Sequence, residues 1–107
     1  MKKFLWKPSD ARREDSLLED FSKFINFKSN PNFKDFWKWS VDHPEEFWSK
    51  FWDYSKIIGD KGKEIIKYDK TFNQTKFFPD SKLNYAENIL KKKTTEIAIS
   101  FLSEKGF

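Results

Sequence analysis

Asp42-His43-Pro44-Glu45-Glu46-Phe47-Trp48-Ser49-Lys50-Phe51-Trp52-Asp53-Tyr54-Ser55-Lys56-Ile57-Ile58-Gly59 is the stretch on which the fold turns. Proline suits the first turn of a helix, where its missing N–H would have no partner anyway, and the two glutamates suit the positive end of the helix dipole. Asp42 or His43 stands where an N-cap is expected. Phe47, Trp48, Phe51, Trp52, Tyr54 and Ile58 follow at helical spacing, so the pattern predicts a helix over Pro44–Ile58 with a wide aromatic face. Gly59 then offers the left-handed conformation that closes many helices.

The same reading extends upstream. Ser9, after Trp6-Lys7-Pro8, is an N-cap candidate with Asp10 in the first turn. From Ser16, Leu17, Phe21, Phe24 and Ile25 recur at i, i+4, i+7 and i+8, a helical stripe that Asn30-Pro31-Asn32 is expected to break. A shorter helix is expected over Phe33–Ser40, with Phe33, Phe36 and Trp37 on one side.

Downstream the signal weakens. Residues 59–76 read as loop with one short strand, Phe77-Phe78-Pro79-Asp80-Ser81 as an apolar pair and a turn, and Asn84–Leu90 as a short helix with Tyr85, Ile89 and Leu90 to pack. Glu96–Leu102 reads as a buried strand with Ile97, Ile99 and Phe101 on one face, and Ser103-Glu104-Lys105-Gly106 as a turn. A strand with no visible partner is a liability that complete proteins avoid or cover, so this ending reads as a longer protein cut short. The expected class is mainly α: a small aromatic-rich unit of three to four helices, followed by one strand.

Composition bounds what such a unit can do. The 107 residues suffice for one small domain. Phe, Trp and Tyr number 13, 5 and 3, against a single Val41, so the core has to be built of rings. No apolar run is long enough for a transmembrane helix, and Met1-Lys2-Lys3-Phe4-Leu5-Trp6-Lys7 is too short for a secretory signal, which makes the expected location cytoplasmic. The chain has no cysteine, which excludes disulfides, thiolate metal sites and a Cys nucleophile together. The net charge is +4, but signs alternate along the chain and the densest basic run is Lys91-Lys92-Lys93. Only Arg12 and Arg13 carry a guanidinium, so no nucleic-acid partner is expected. Attachment to a membrane surface through aromatic helices is also not expected, because the apolar stripes are interleaved with acidic residues.

Residues able to carry chemistry are few. His43 is the one histidine, and its place before Pro44 is explained by helix capping or plain exposure. Gly59, Gly62 and Gly106 form neither a dinucleotide fingerprint nor a phosphate-cradling loop. No catalytic, cofactor-binding or metal-ligating residue is therefore assigned. Trp37, Trp39, Trp48 and Trp52 serve a core, an interface or, least of all, a stacking platform for a ligand.

Trp6-Lys7-Pro8-Ser9, Trp39-Ser40-Val41 and Phe47-Trp48 with Phe51-Trp52 resemble the N-terminal region of AMP-forming acyl-CoA synthetases of the acetyl-CoA synthetase type. Phe77-Phe78-Pro79 and Leu83-Asn84-Tyr85-Ala86-Glu87-Asn88-Ile89-Leu90 are most similar to the acetoacetate–CoA ligase branch. In that branch Trp usually stands at the place of Phe77 and Gly at the place of Asp80. The resemblance implies a helical cap over residues 1–92 and, over residues 93–107, the first strand and turn of an α/β adenylate-forming domain. It also implies a parent enzyme using ATP, Mg²⁺ and CoA, with the chemistry outside this chain. The 107 residues alone are then expected to be inactive, with the adenylate-forming domain as partner and with self-association through Glu96–Leu102. The rival reading is a free-standing helical interaction module with exposed aromatics.

Overall fold

The computed structural model describes residues 3–27 and 32–105. Among them the order is α1 (Asp10–Glu14), α2 (Leu17–Phe24), α3 (Phe33–Asp42), α4 (Pro44–Tyr54), β1 (Gly59–Asp60), β2 (Ile66–Lys67), a 3-10 turn at Phe72–Gln74, β3 (Lys76–Phe77), β4 (Lys82–Leu83) and α5 (Tyr85–Ile89). The fold is mainly helical, as expected.

Polar side chains set the helix starts. Ser9 accepts a hydrogen bond from the Arg12 amide at 3.3 Å and opens α1. Ser16 works on both sides of a joint: its hydroxyl donates to the Arg13 carbonyl at 2.7 Å and accepts from the Glu19 amide at 3.2 Å. One short side chain thus closes α1 and caps α2. Asn32 caps α3 by accepting from the Asp35 amide at 2.8 Å.

The end of α2 differs from expectation. The helix stops at Phe24, and Asn26 takes a left-handed φ of 54°, several residues before the anticipated breaker. Asparagine tolerates that conformation better than most residues. Asn30 and Pro31 lie outside the described residues.

α4 is the axis of the helical part, because α2 and α3 both pack on it. Phe21, Ile25 and Phe36 are buried, with Phe27, Trp39, Phe47 and Tyr54 closing around them. Phe21 meets Phe36, Phe47, Phe51 and Tyr54 at ring-centroid distances of 5.0–5.9 Å, mostly edge to face. Edge-to-face geometry sets the positive rim of one ring against the negative face of another, the favoured arrangement for packed rings. The ring-built core is therefore real, but small.

Two features of the α4 segment correct the sequence reading. His43 is the N-cap residue, yet no side chain caps the helix there. Asp42 is engaged instead with Lys38 one turn back, at 2.8 Å. At the other end α4 stops at Tyr54, and Lys56, with φ 52°, takes the left-handed turn anticipated at Gly59. The Ile57 amide reaches back to the Trp52 carbonyl at 3.5 Å, closing the end as a Schellman-type cap does. Gly59 is needed for another reason. A Cβ there would lie 2.7 Å from both the Leu83 Cβ and the Lys82 carbonyl oxygen, so only glycine lets β1 and β4 approach.

Residues 59–83 hold more order than anticipated. β1 pairs with β4 (Gly59↔Leu83, Asp60↔Lys82) and β2 with β3 (Ile66↔Phe77, Lys67↔Lys76), both antiparallel, so one hairpin is nested inside the other. The Phe78 amide continues the inner ladder to the Ile65 carbonyl at 2.7 Å. The Phe78–Ser81 turn, expected from Pro79, is closed by the Ser81 amide on the Phe78 carbonyl at 3.0 Å.

The expected strand at Glu96–Leu102 does not form a ladder among the described residues. Ile97, Ile99 and Phe101 are 85%, 72% and 75% exposed. Strand propensity alone cannot satisfy backbone donors and acceptors; a neighbouring strand has to be in reach. Of the turn expected after it, Gly106 lies outside the described residues, as does Phe107. The radius of gyration is 19.0 Å, against ~13 Å for a compact chain of about 100 residues. Among the described residues no helix is long and apolar enough to cross a membrane.

Candidate functional site

The distinctive feature of the described residues is aromatic surface, arranged on either side of α4. Phe47, Phe51 and Tyr54, at i, i+4 and i+7, face α2 and α3. Trp48 and Trp52, one position on, face the hairpins. Trp52 is buried with its ring 4.9 Å from that of Phe78, and Trp48 meets Phe77 at 5.5 Å. Ile66 is buried as well. The wide aromatic face seen in the sequence is thus two faces, each with its own partner.

The face toward α2 and α3 is not filled. Leu17, Leu18, Phe33 and Trp37 rim an apolar groove of about 480 Å³ floored by Phe47 and Phe51. Leu17 and Phe33 are 79% and 71% exposed, although both sit on the apolar stripes of their helices. A second groove of about 780 Å³ adjoins it, with Phe4, Trp6 and Pro8 on one wall and Phe33 and Phe36 on the other. Trp37 is half exposed and Trp39 packs against Phe27, Phe36 and Phe47. Of the four tryptophans singled out from the sequence, Trp39, Trp48 and Trp52 are packing residues and Trp37 borders the groove.

Polar contacts fasten α5 to the C-terminal end of α4. Asn84 caps α5 by accepting from the Glu87 amide at 3.0 Å. Asn88 then behaves as an extra strand residue: its side-chain Nδ2 donates to the Ile58 carbonyl at 2.9 Å, and its side-chain Oδ1 accepts from the Ile58 backbone amide at 2.8 Å. The same nitrogen also donates to the Asn84 carbonyl at 2.9 Å. The Lys91 ammonium donates to the Ser55 and Lys56 carbonyls, both at 3.1 Å, at the negative end of the α4 dipole. On the other flank, the Lys61 ammonium lies 2.8 Å from Asp53 and 3.0 Å from the Ser49 hydroxyl. Sequence reading placed a short helix over Asn84–Leu90 but did not single out Asn88, because a contact across 30 residues leaves no local periodic signal.

The groups with shifted ionisation are surface pairs. The Tyr54 hydroxyl donates to Asp20 at 2.8 Å, and this bond, then burial, then the carboxylate charge hold its pKa above the ordinary tyrosine value. Lys38 is raised and Asp42 lowered, chiefly by their mutual hydrogen bond. His43 is exposed, and its side chain makes no capping bond to α4. Among the described residues no group of three or more His, Asp or Glu could hold a metal ion.

The L-N-Y-A-E-N block is therefore a structural device, and it lies within the segment that matches a known family. Residues 33–89 match the family described as acetyl-coenzyme A synthetase N-terminus. The chain belongs to that family. The matched residues run from α3 through both hairpins to α5. Acetoacetyl-coenzyme A synthetase of Rhizobium meliloti (strain 1021) is 31% identical over 103 residues, which cover 94% of this chain and 16% of that protein. Acetoacetyl-CoA synthetase of Danio rerio is 34% identical over 108 residues, covering 95% and 16%. That of Gallus gallus is 34% identical over 77 residues, covering 70% and 12%. The chain thus spans about one sixth or less of the length of these relatives. No solved structure matches the chain.

Proposed function

We propose that these 107 residues are the N-terminal region of an ATP-dependent, AMP-forming acetoacetate–CoA ligase. In the whole enzyme a carboxylate and ATP give an acyl-adenylate and pyrophosphate, and CoA then displaces AMP. ATP, Mg²⁺ and CoA are bound by the adenylate-forming domain, which residues 93–107 begin and residues 1–92 cap. This chain supplies scaffold and interface, and its location is the cytoplasm. The observation that carries the reading is the match to acetoacetyl-CoA synthetases across nearly the whole chain. The open grooves and the exposed Tyr85, Ile89 and Leu90 on α5 support an interface role. The sequence offers no glycine-rich phosphate loop, so no step of the chemistry is routed through these residues.

A chimera tests this. Replacing the matching region of the Rhizobium meliloti enzyme with this chain should preserve acetoacetyl-CoA formation, whereas deleting that region should abolish it. A folded chimera without activity would overturn the reading. So would pyrophosphate release from ATP and acetoacetate by the purified 107-residue chain.

A further inference from the structure

The two sides of α4 differ in what they leave for a partner. On the hairpin side Trp52 is buried against Phe78, and Trp48 meets Phe77. On the other side the groove of about 480 Å³ stays open, with Leu17 and Phe33 exposed on its rim. Among the described residues that line it, none is charged. Such a trough offers nothing to the phosphates of a nucleotide or of CoA, and it suits the apolar side chains of another protein surface.

The groove also has a direction. It runs along α4 from Phe47 to Tyr54 and ends at Ser55, the C-cap residue of that helix. The Ser55 carbonyl accepts from the Lys91 ammonium at 3.1 Å, as does the Lys56 carbonyl beside it. Three residues before Lys91, Asn88 is pinned to Ile58. The backbone that leaves α5 is thus held within one lysine side chain's reach of the end of the groove. The matched family is an N-terminus, and this chain spans 16% of the Rhizobium meliloti relative, so most of that polypeptide lies outside the matched stretch.

We infer that the polypeptide continuing beyond residue 91 covers this groove. The adenylate-forming domain of the same chain seats an apolar patch on Leu17, Phe33 and Trp37, over Phe47 and Phe51. Phe72, on the turn that closes the inner hairpin, belongs to the other side of α4 and stays outside the contact. Because the contact is intramolecular, a short tether supplies a high effective concentration and a modest apolar area suffices. The inference rests on the proposed function for what that domain is, and adds which face of this chain meets it.

Thiol labelling tests the contact, because the chain has no cysteine of its own. Trp37→Cys places a thiol on the groove, and Phe72→Cys places one on the hairpin turn; both positions are exposed. Each is compared in the 107-residue chain and in the chimera with the Rhizobium meliloti enzyme, with the labelled peptide followed by mass spectrometry. The Trp37→Cys thiol should react about tenfold or more slowly in the chimera, as a cover closed ten times as often as open requires. The Phe72→Cys thiol should react alike in both. Adding Leu17→Glu and Phe33→Glu should restore the fast rate at position 37, since the cover would then have to bury two charges. Both glutamates fall in the first turn of a helix, where negative charge is favoured, so far-UV circular dichroism of the 107-residue chain should not change. Equal rates at position 37 in the two proteins would overturn the inference. Slowing that survives both glutamates, or equal slowing at positions 37 and 72, would overturn it as well. The readout is independent of turnover. An active chimera with a fast Trp37→Cys thiol sinks the inference and spares the proposed function; a folded, inactive chimera with a slow one does the reverse.

Discussion

The helical part and the hairpin part are held by different physics. Phe21 alone gathers four rings around itself, and α2, α3 and α4 are joined by apolar contact. The hairpins meet α4 through the Trp48–Phe77 and Trp52–Phe78 ring pairs, and the fastening of this part to the end of α4 is largely polar: Lys61 on Asp53 and Ser49 from the hairpins, Asn88 on Ile58 and Lys91 on Ser55 and Lys56 from α5 and the residues after it. Apolar burial is non-directional and scales with area, so it determines whether the helices associate. Hydrogen bonds contribute less but are directional, so they determine where α5 and the outgoing chain sit.

Removing the ring hub tests the first half of that contrast and should have the largest effect. Phe21→Ala should cost about 3–5 kcal/mol, as Phe deletions from packed cores do. In so small a core that amounts to loss of the α2–α4 packing, visible as a collapsed urea midpoint and diminished far-UV signal. A midpoint shifted no further than that of Asn88→Ala would break the comparison.

Asn88→Ala sharpens the other half. Its hydrogen bonds are partly exposed, so the expected cost is about 1–2 kcal/mol. The effect should be local: the Ile58 amide should lose hydrogen-exchange protection and the β1–β4 ladder should loosen, while amides in α2 and α3 keep theirs. Equal loss of protection in both parts would mean that they unfold as one unit.

Tyr54 tests a polar contact placed inside the helical part. Because the folded chain holds the tyrosine proton above the ordinary value of 10.0, its contribution to stability is complete below that pH. It is lost as pH rises through the raised folded value. Asp20→Ala should bring the Tyr54 ionisation down in a tyrosinate absorbance titration and shift the alkaline limb of stability to lower pH. An unmoved titration would show that Asp20 does not hold the proton.

The smallest effect is expected at His43. No side-chain bond caps α4 there, so His43→Ala should stay within about 0.5 kcal/mol of the parent chain, as uncommitted surface positions do. A larger shift in the denaturation midpoint would reinstate the cap that the sequence suggested.

The legibility of these elements from sequence follows the range of the forces that make them. Ser9, Ser16 and Asn84 cap helices through bonds to residues three positions away, so local spacing reveals them. The aromatic stripe of α4 was equally visible, but its division between two partners was not, because periodicity shows that a face is apolar and not what covers it. The hairpins were nearly silent. Each ladder is two residues long, too short for alternation to register, and pairs positions nine to twenty-four residues apart. Composition also guided the expectation about chemistry, since one histidine, no cysteine and three scattered glycines leave little to arrange.

By itself, the sequence determined that the core would be aromatic, that helices would begin at Ser9, Ser16 and Asn84, and which family the chain resembles. Composition and i-to-i+4 spacing are enough for those. Only the tertiary structure decided that α4 serves two faces, that Lys56 rather than Gly59 ends it, that Asn88 holds α5 in place, and that Glu96–Leu102 lacks a ladder. Each of those depends on which distant group comes within a few ångströms, and a strand-forming segment becomes a strand only when another backbone is there to receive its hydrogen bonds.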